Sequence, residues 1–247
     1  MLPMLRYVLL SCVLVSSSPV SGASSDRGAD SLRKTIEARE PGTRVATPQR
    51  SPVTGVYLTS IDGVSGYVSA DGRYFIVGDM LDLASRSNVT EEVRKAARRA
   101  LLQTIAPDEW IAFAPAKAKY TIAVFTDADC PYCRKLHADL PQLLARGIAV
   151  RYMAFPRSGP NTKSWRTMAA VWCSSDRREA LTRATRGEAV TTPNSCGDAV
   201  IAKHYALGQQ LGIPGTPMIV LNDGATLSYM PPDKLLAALV EHARPGS

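Results

Sequence analysis

The side chains of this 247-residue sequence best suited to chemistry are the two cysteines of Cys130-Pro131-Tyr132-Cys133. An apolar run, Tyr120-Thr121-Ile122-Ala123-Val124-Phe125, precedes them, and an amphipathic stretch from Pro131 to Ala145 follows. That order places Cys130 where a buried strand hands over to a helix. A helix N-terminus carries partial positive charge and unpaired N–H groups, so it favours a thiolate at Cys130 over a thiol. The thiolate is the attacking species in disulfide exchange. Cys130, at the exposed end, is expected to attack a substrate disulfide, and Cys133, one turn in and shielded, to resolve the mixed disulfide. Pro131 suits the first helical turn, where its missing N–H leaves no bond unmade. The two sulfurs carry this chemistry without a cofactor.

Other uses of a Cys-x-x-Cys pair fit less well. Haem attachment calls for His at position 134, where Arg134 stands. A zinc site would need Cys173 and Cys196 as further ligands, with His137 in reserve. Zinc ribbons supply their ligands as two close-spaced knuckles, whereas 22 residues lie between those two cysteines, so no metal is expected. Cys173 and Cys196 read instead as a structural disulfide closing a loop, worth about 3 kcal/mol in the chain-entropy account. The alternative is a second redox pair, although neither short spacing nor a helix N-terminus activates either cysteine. Gly215-Thr216-Pro217 precedes the apolar run from Met218; a proline there points to a cis-proline turn that presents backbone to a ligand. Asp127 and Asp129 read as turn and cap residues, although negative charge so close would raise the Cys130 pKa. His137, on the helical side of Cys133, reads as packing.

The elements that must position these residues fall into two groups. From Val56 to Asp82, short β-like runs alternate with turns, and Asp62-Gly63 and Asp71-Gly72 are strong hairpin signals, so a small antiparallel sheet is expected. So small a sheet is marginal alone and buries an open face or edge against something else, most simply a second copy of itself. Residues 24 to about 55 read as a loose lead-in with a short helix-compatible stretch from Ser31 to Arg39. Asn88 followed by Glu91 resembles a capping box, and apolar residues then recur at helical spacing up to Pro107, which predicts a linking helix. Asn88-Val89-Thr90 also fits a glycosylation sequon, but capping accounts for Asn88. Beyond Pro107 a strand (from Tyr120), a helix (Pro131 to Ala145) and a strand (Ile148 to Phe155) make a βαβ unit. A mostly helical stretch from Asn161 to Leu211, two strands around Asn222-Asp223-Gly224 and a helix from Asp233 to His242 complete a thioredoxin-like order with a helical insertion. The fold class is therefore α/β, α+β overall. The expected divisions are 1–23, 24–87, 88–106 and 107–247.

Residues 1–23 read as a signal peptide, with Arg6, an apolar run from Tyr7 to Val15 and Ser21-Gly22-Ala23 before cleavage. The run is too short for a membrane span, which needs about 20 apolar residues. Leu9-Leu10-Ser11-Cys12 also resembles a lipoprotein box, with few apolar residues before it. An exported chain keeps four of its five cysteines in a compartment where disulfides persist. The net charge of +7 is dispersed and few aromatics lie among the basic residues, so no nucleic-acid partner is expected.

With these residues in hand, the chain resembles the bacterial periplasmic disulfide isomerases, the DsbC/DsbG family. The likeness runs through Tyr74 to Met80 with Asp82, Val124-Phe125-Thr126-Asp127, Arg151-Tyr152-Met153-Ala154-Phe155-Pro156, Trp172-Cys173, His204-Tyr205-Ala206-Leu207-Gly208 and Gly215-Thr216-Pro217. The resemblance implies a V-shaped homodimer joined through N-terminal dimerisation domains, with two thioredoxin-like domains facing a cleft that holds misfolded secreted proteins. It further implies Cys130 as the attacking and Cys133 as the resolving cysteine, Thr216-Pro217 as the cis-proline loop, and Cys173 with Cys196 as the structural disulfide. A membrane thiol reductase keeps the family reduced. Pro131-Tyr132 resembles the DsbG branch, whereas the Cys173–Cys196 pair and its surroundings look more like DsbC. Isomerisation of wrong disulfides is the favoured activity, with reduction of sulfenylated cysteines and a chaperone role as the alternatives.

Overall fold

A computed structural model describes residues 27–191 and 196–243. The leader, its cleavage after Ala23 and the Cys12 alternative lie outside the described residues. The N-terminal part pairs a helix with a sheet. Helix α1 (Arg27–Arg39) lies over a four-stranded antiparallel sheet, β1 (Gln49–Arg50), β2 (Val56–Ile61), β3 (Val64–Ser69) and β4 (Phe75–Val77), in sequential order. Both Asp-Gly pairs make the turns foreseen. Asp62 and Gly63, with φ of 50° and 83°, join β2 to β3 in the left-handed conformation that a two-residue hairpin requires, and Asp71-Gly72 precede β4. The helix-compatible stretch from Ser31 to Arg39 is indeed helical and begins four residues earlier than expected, at Arg27. Over 27–39 the chain is an ordered helix because Leu32 and Ile36, one turn apart, bury against Val45 and Val68.

A short ribbon, β5 (Leu81–Asp82) with β6 (Ser87–Asn88), leads into the linking helix α2 (Val89–Leu102). The Asn88 side chain caps it by accepting the Glu91 N–H at 2.9 Å. The Glu91 carboxylate does not return to complete a capping box; it accepts from Arg98 at 2.7 Å instead. Helix α2 is tied at both ends. Near its start, buried Thr90 hydrogen-bonds Tyr67 of the small sheet at 2.5 Å and accepts the Met80 N–H at 2.8 Å. Toward its end, Arg98 donates to the Gly224 carbonyl at 3.1 Å and Arg99 to the Asp223 carbonyl at 2.5 Å. Gly224, at φ 87°, permits this approach, because a Cβ there would strike the Lys95 backbone.

The C-terminal half is built on a five-stranded sheet in the order β11-β10-β8-β9-β7. Its strands are β7 (Ile111–Phe113), β8 (Tyr120–Thr126), β9 (Ile148–Ala154), β10 (Met218–Val220) and β11 (Thr226–Leu227), and only β8 and β9 are parallel. Helix α3 (Pro131–Ala138) and α4 (Leu140–Ala145) connect them. The sequence predicts one helix over this stretch. Pro141, lacking an N–H and crowding the preceding turn, splits it in two. Helices α5 (Lys163–Cys173), α6 (Arg177–Thr185) and α7 (Asp198–Gln210) form the insertion, and α8 (Pro232–His242) closes the chain. Strands β8 and β9 are buried on both faces: Ile122, Val124, Val150 and Tyr152 pack with Leu136, Met168 and Trp172, while Ala123, Phe125 and Met153 pack with Ile105 and Ile213.

Arg98, together with Arg99, holds the linking helix to the C-terminal half. Arg98→Ala leaves the buried Gly224 carbonyl and the Glu91 carboxylate without their donor, and is expected to cost about 2 kcal/mol, read as a lower denaturant midpoint.

Candidate active site

Cys130 ends the loop after β8 and is the N-cap of α3, with φ −83° and ψ 124°, and Pro131 occupies the first helical position. Antiparallel pairing of β10 with β8, Met218 opposite Phe125, brings Thr216-Pro217 against the same spot. The Thr216–Pro217 peptide bond is cis. The Cys130 thiol donates to the Thr216 carbonyl, with Sγ 3.1 Å from the oxygen. Cys133, one turn into α3, is wholly buried, and the Asp127 N–H points at its sulfur from 3.5 Å. Neither sulfur is joined to another.

The exposed position expected for Cys130 needs correction. Only 1% of the residue is accessible, although Asp129, Pro131 and Tyr132 around it are exposed, because the Thr216 segment lies over the sulfur. The two sulfurs nonetheless differ in character. Burial works against the thiolate at Cys130, but the Thr216 hydroxyl, the N–H groups of Cys133 and Tyr132 and the Cys133 thiol outweigh it and hold the Cys130 pKa below the ordinary thiol value. At Cys133 burial dominates and pushes the pKa up to about 12, against smaller help from the Thr126 and Thr216 hydroxyls and the Asp127 N–H. The Thr216 hydroxyl is buried beside the two sulfurs with no hydrogen-bond partner, and its proximity favours the thiolate form at both.

Asp127 does act as a turn residue, in a larger role than a cap. Its buried carboxylate accepts the Asp129 N–H at 2.9 Å, the Ser164 hydroxyl at 2.5 Å, and the Arg157 N–H and Nε at 3.1 and 3.2 Å. The nearby negative charge is thereby paired with Arg157, whose own proton is held more tightly by Asp127 and by charge at Cys130 despite partial burial. Arg157 and Ser164 were not identified from the sequence. One signal was available for Arg157: adjacent parallel strands end at the same edge of a sheet, so the segments following β8 and β9 must meet. Asp129 makes a 3.4 Å contact with Arg134.

His137 packs as the sequence suggests, edge-on to Phe113 with ring centroids 5.4 Å apart. The Thr182 hydroxyl donates to the Arg178 carbonyl and so accepts from His137 Nε2 at 3.0 Å. Burial, with a smaller contribution from the Arg186 charge, lowers the His137 pKa to about 4, so the ring is neutral near pH 7. Cys173 and Cys196 are joined in a disulfide with Cα atoms 5.5 Å apart, so the four described cysteines form two separate pairs. Among the described residues, no group of three or more His, Cys, Asp or Glu side chains converges as a metal site.

An N-cap thiol with a depressed pKa, three residues before a thiol with a raised one, can attack a disulfide with the first sulfur and keep the second in reserve. Thr216→Val removes the hydroxyl donor from the Cys130 thiolate and is expected to raise the Cys130 pKa by about one unit, with Thr216→Ser restoring it. Thiolate absorbance near 240 nm as a function of pH, in the fully reduced protein, checks this.

Residues 108–243 match the model of a thioredoxin-like domain, and residues 17–91 match that of the disulfide bond isomerase protein N-terminal domain. The thiol:disulfide interchange protein DsbC of Escherichia coli K12 is 37% identical over 206 residues, covering 82% of this chain and 84% of that protein. The DsbC of Salmonella typhimurium is 36% identical over 242 residues, covering 97% of each. The solved thiol-disulfide exchange protein alpha-DsbA2 of Wolbachia pipientis, 16% identical, superposes with a TM-score of 0.51 over 64% of this chain and all of its own, a likeness of fold alone. With relatives at this identity over most of its length and both halves matched in order, the chain belongs to the DsbC family of thiol:disulfide interchange proteins.

Proposed function

We propose that this thiol:disulfide interchange protein works in the periplasm as a homodimeric isomerase of misfolded secreted proteins, with Cys130 as the nucleophile and Cys133 as the resolving thiol. The observation that carries the assignment is the asymmetry of the pair: hydrogen-bond donors gather around Cys130 and lower its pKa, while burial raises that of Cys133 to about 12. The Cys130 thiolate attacks one sulfur of a non-native disulfide. A new S–S bond forms, the old one breaks, and the second substrate sulfur leaves with the electron pair as a thiolate. A different substrate thiolate can then attack the bridged substrate sulfur, which makes the rearranged disulfide and returns Cys130 as a thiolate, with no net oxidation or reduction. Alternatively Cys133 loses its proton and attacks Cys130, which releases reduced substrate and leaves a Cys130–Cys133 disulfide. That route needs two electrons from a membrane thiol reductase before the next turn. Burial, which pushes the Cys133 pKa up to about 12, disfavours its thiolate and so works against the second route.

Reduced protein is expected to restore activity to scrambled ribonuclease, and Cys130→Ala to abolish the recovery. Cys133→Ala is expected to retain part of it, because rearrangement does not require the second thiol. Efficient reduction of a sulfenylated single-cysteine protein without any ribonuclease recovery would favour the DsbG-like alternative that Pro131-Tyr132 suggests.

Export rests on the leader pattern of residues 1–23 and on the Cys173–Cys196 disulfide, which persists in an oxidising compartment. Dimerisation rests on strand β4. It is one edge of the small sheet, and Ile76 and Val77 on it, with Tyr74 just before and Leu81 and Leu83 beyond, are all more than half exposed. An unpaired edge carrying that much apolar surface is suited to a second copy. Ile76→Asp combined with Leu83→Asp is expected to halve the mass measured by light scattering while leaving reduction of small disulfides in place.

A further inference from the structure

A cavity of about 600 Å³ lies between the C-terminal end of α2 and one face of the five-stranded sheet, and neither the two free cysteines nor Thr216-Pro217 line it. Its floor is a single row across the sheet. Strand register sets Ala112 of β7 beside Arg151 of β9, Arg151 beside Ala123 of β8, and Ala123 beside Val220 of β10. Residues paired in register share a face. Two positions further along β8 and β9, Phe125 and Met153 fill that face and pack with Ile105 and Ile213. In the row itself Ala112 and Ala123 end at a methyl group, so the face stays open on both sides of Arg151.

Arg151 is the one exposed residue of β9; the other six are buried. Among the described residues its guanidinium makes no hydrogen bond and no ion pair. Arg99, on the α2 wall, donates to the Asp223 carbonyl at 2.5 Å and has no carboxylate partner. No Asp or Glu lines the cavity. Two guanidinium cations without a carboxylate, set in a concave site with apolar walls, focus positive potential there. The apolar walls are Leu102, Val220 and Trp110, whose indole N–H also lacks a partner among the described residues. A planar guanidinium matches a carboxylate with two parallel hydrogen bonds. Inorganic phosphate would satisfy the arginines but leave the apolar walls wet, whereas a hydrocarbon would cover the walls and leave the arginines unpaired. An organic acid with one carboxylate and an apolar body does both.

We propose that this cavity is a binding site for a small amphipathic carboxylate, its anionic group held by Arg151 and Arg99 and its apolar body laid over Ala112 and Ala123 against Trp110. The site is separate from the sulfur chemistry and stands or falls without it. Because Arg99 and Leu102 belong to the linking helix while Arg151, Ala112 and Ala123 belong to the sheet, an occupant touches both elements at once.

The test is titration calorimetry of the full chain in dilute buffer with three probes: naphthalene-2-carboxylate, its neutral carboxamide, and inorganic phosphate. The carboxylate is expected to bind saturably and about tenfold tighter than either of the others, the effect of one charge-assisted pair added to apolar burial. Arg151→Met keeps the length of the side chain and removes its charge; it is expected to weaken the carboxylate by about tenfold and to leave the carboxamide within about twofold. Ala112→Leu fills the floor and is expected to weaken both aromatic probes by about tenfold. An unchanged rate of reaction with oxidised glutathione shows that each variant is folded. Equal affinity for carboxylate and carboxamide, or carboxylate binding undiminished in Arg151→Met, removes the arginines from the site and overturns the proposal. Phosphate binding as tightly as the carboxylate removes the apolar walls and overturns it equally. Absence of saturable carboxylate binding at millimolar concentration overturns it outright, and the exchange chemistry is untouched by any of these results.

Discussion

The contact between the Cys130 sulfur and the Thr216 carbonyl joins segments 86 residues apart at 3.1 Å, and much of the catalytic half serves to hold it there. Antiparallel pairing of β10 with β8 sets the cis-proline segment opposite the end of β8. Burial of β8 and β9 on both faces leaves little freedom for register to slip, because a one-residue shift would exchange the side chains of two differently packed cores. Asp127, fully occupied by Ser164, Arg157 and the Asp129 N–H, fixes the loop that delivers Cys130 to the helix. Geometry of this kind is needed because a hydrogen-bond donor stabilises a thiolate only at close range and in good alignment.

The parts legible in the sequence were those with local physical causes. The βαβ unit announces itself through a buried run, an amphipathic run and a second buried run, and Cys130 falls at the junction. The hairpin between β2 and β3 follows from Asp62-Gly63, since few other residue pairs adopt two consecutive positive φ values. The parts not legible depend on partners distant in sequence. Strand β7, three residues long, is too short to show a period and exists because Ile111 pairs with Tyr152 of β9. Helix α1 has modest apolar content, and its order comes from the sheet beneath it. The ion pair of Asp127 with Arg157, the anchoring of Tyr229 by Asp139 and the cover over Cys130 all require the fold before they can be seen.

The linking helix bears on the chemistry as well. It is fastened to the small sheet through Thr90 and to the β10–β11 turn through Arg98 and Arg99. The same β10 begins directly after Thr216-Pro217. The direction in which Cys130 faces is therefore set relative to the small sheet whose free edge is proposed to join a second copy. A flexible tether would leave that direction undefined, whereas a helix of 14 residues tied at both ends transmits it.

The near-complete cover of Cys130 is consistent with its proposed role as nucleophile once the two protonation states are treated separately. As a thiol, Cys130 donates to the Thr216 carbonyl, and this bond draws the sulfur under the cis-proline segment. Loss of the proton removes the donor, and the thiolate then faces a carbonyl oxygen carrying partial negative charge, which repels it. The groups that favour the anion are the N–H groups of Tyr132 and Cys133 at the start of α3, the Cys133 thiol and the Thr216 hydroxyl. Ionisation thus removes the hydrogen bond to the Thr216 carbonyl and strengthens the interactions with the N–H groups of α3. Cys133, whose pKa burial pushes up to about 12, remains a thiol near neutral pH.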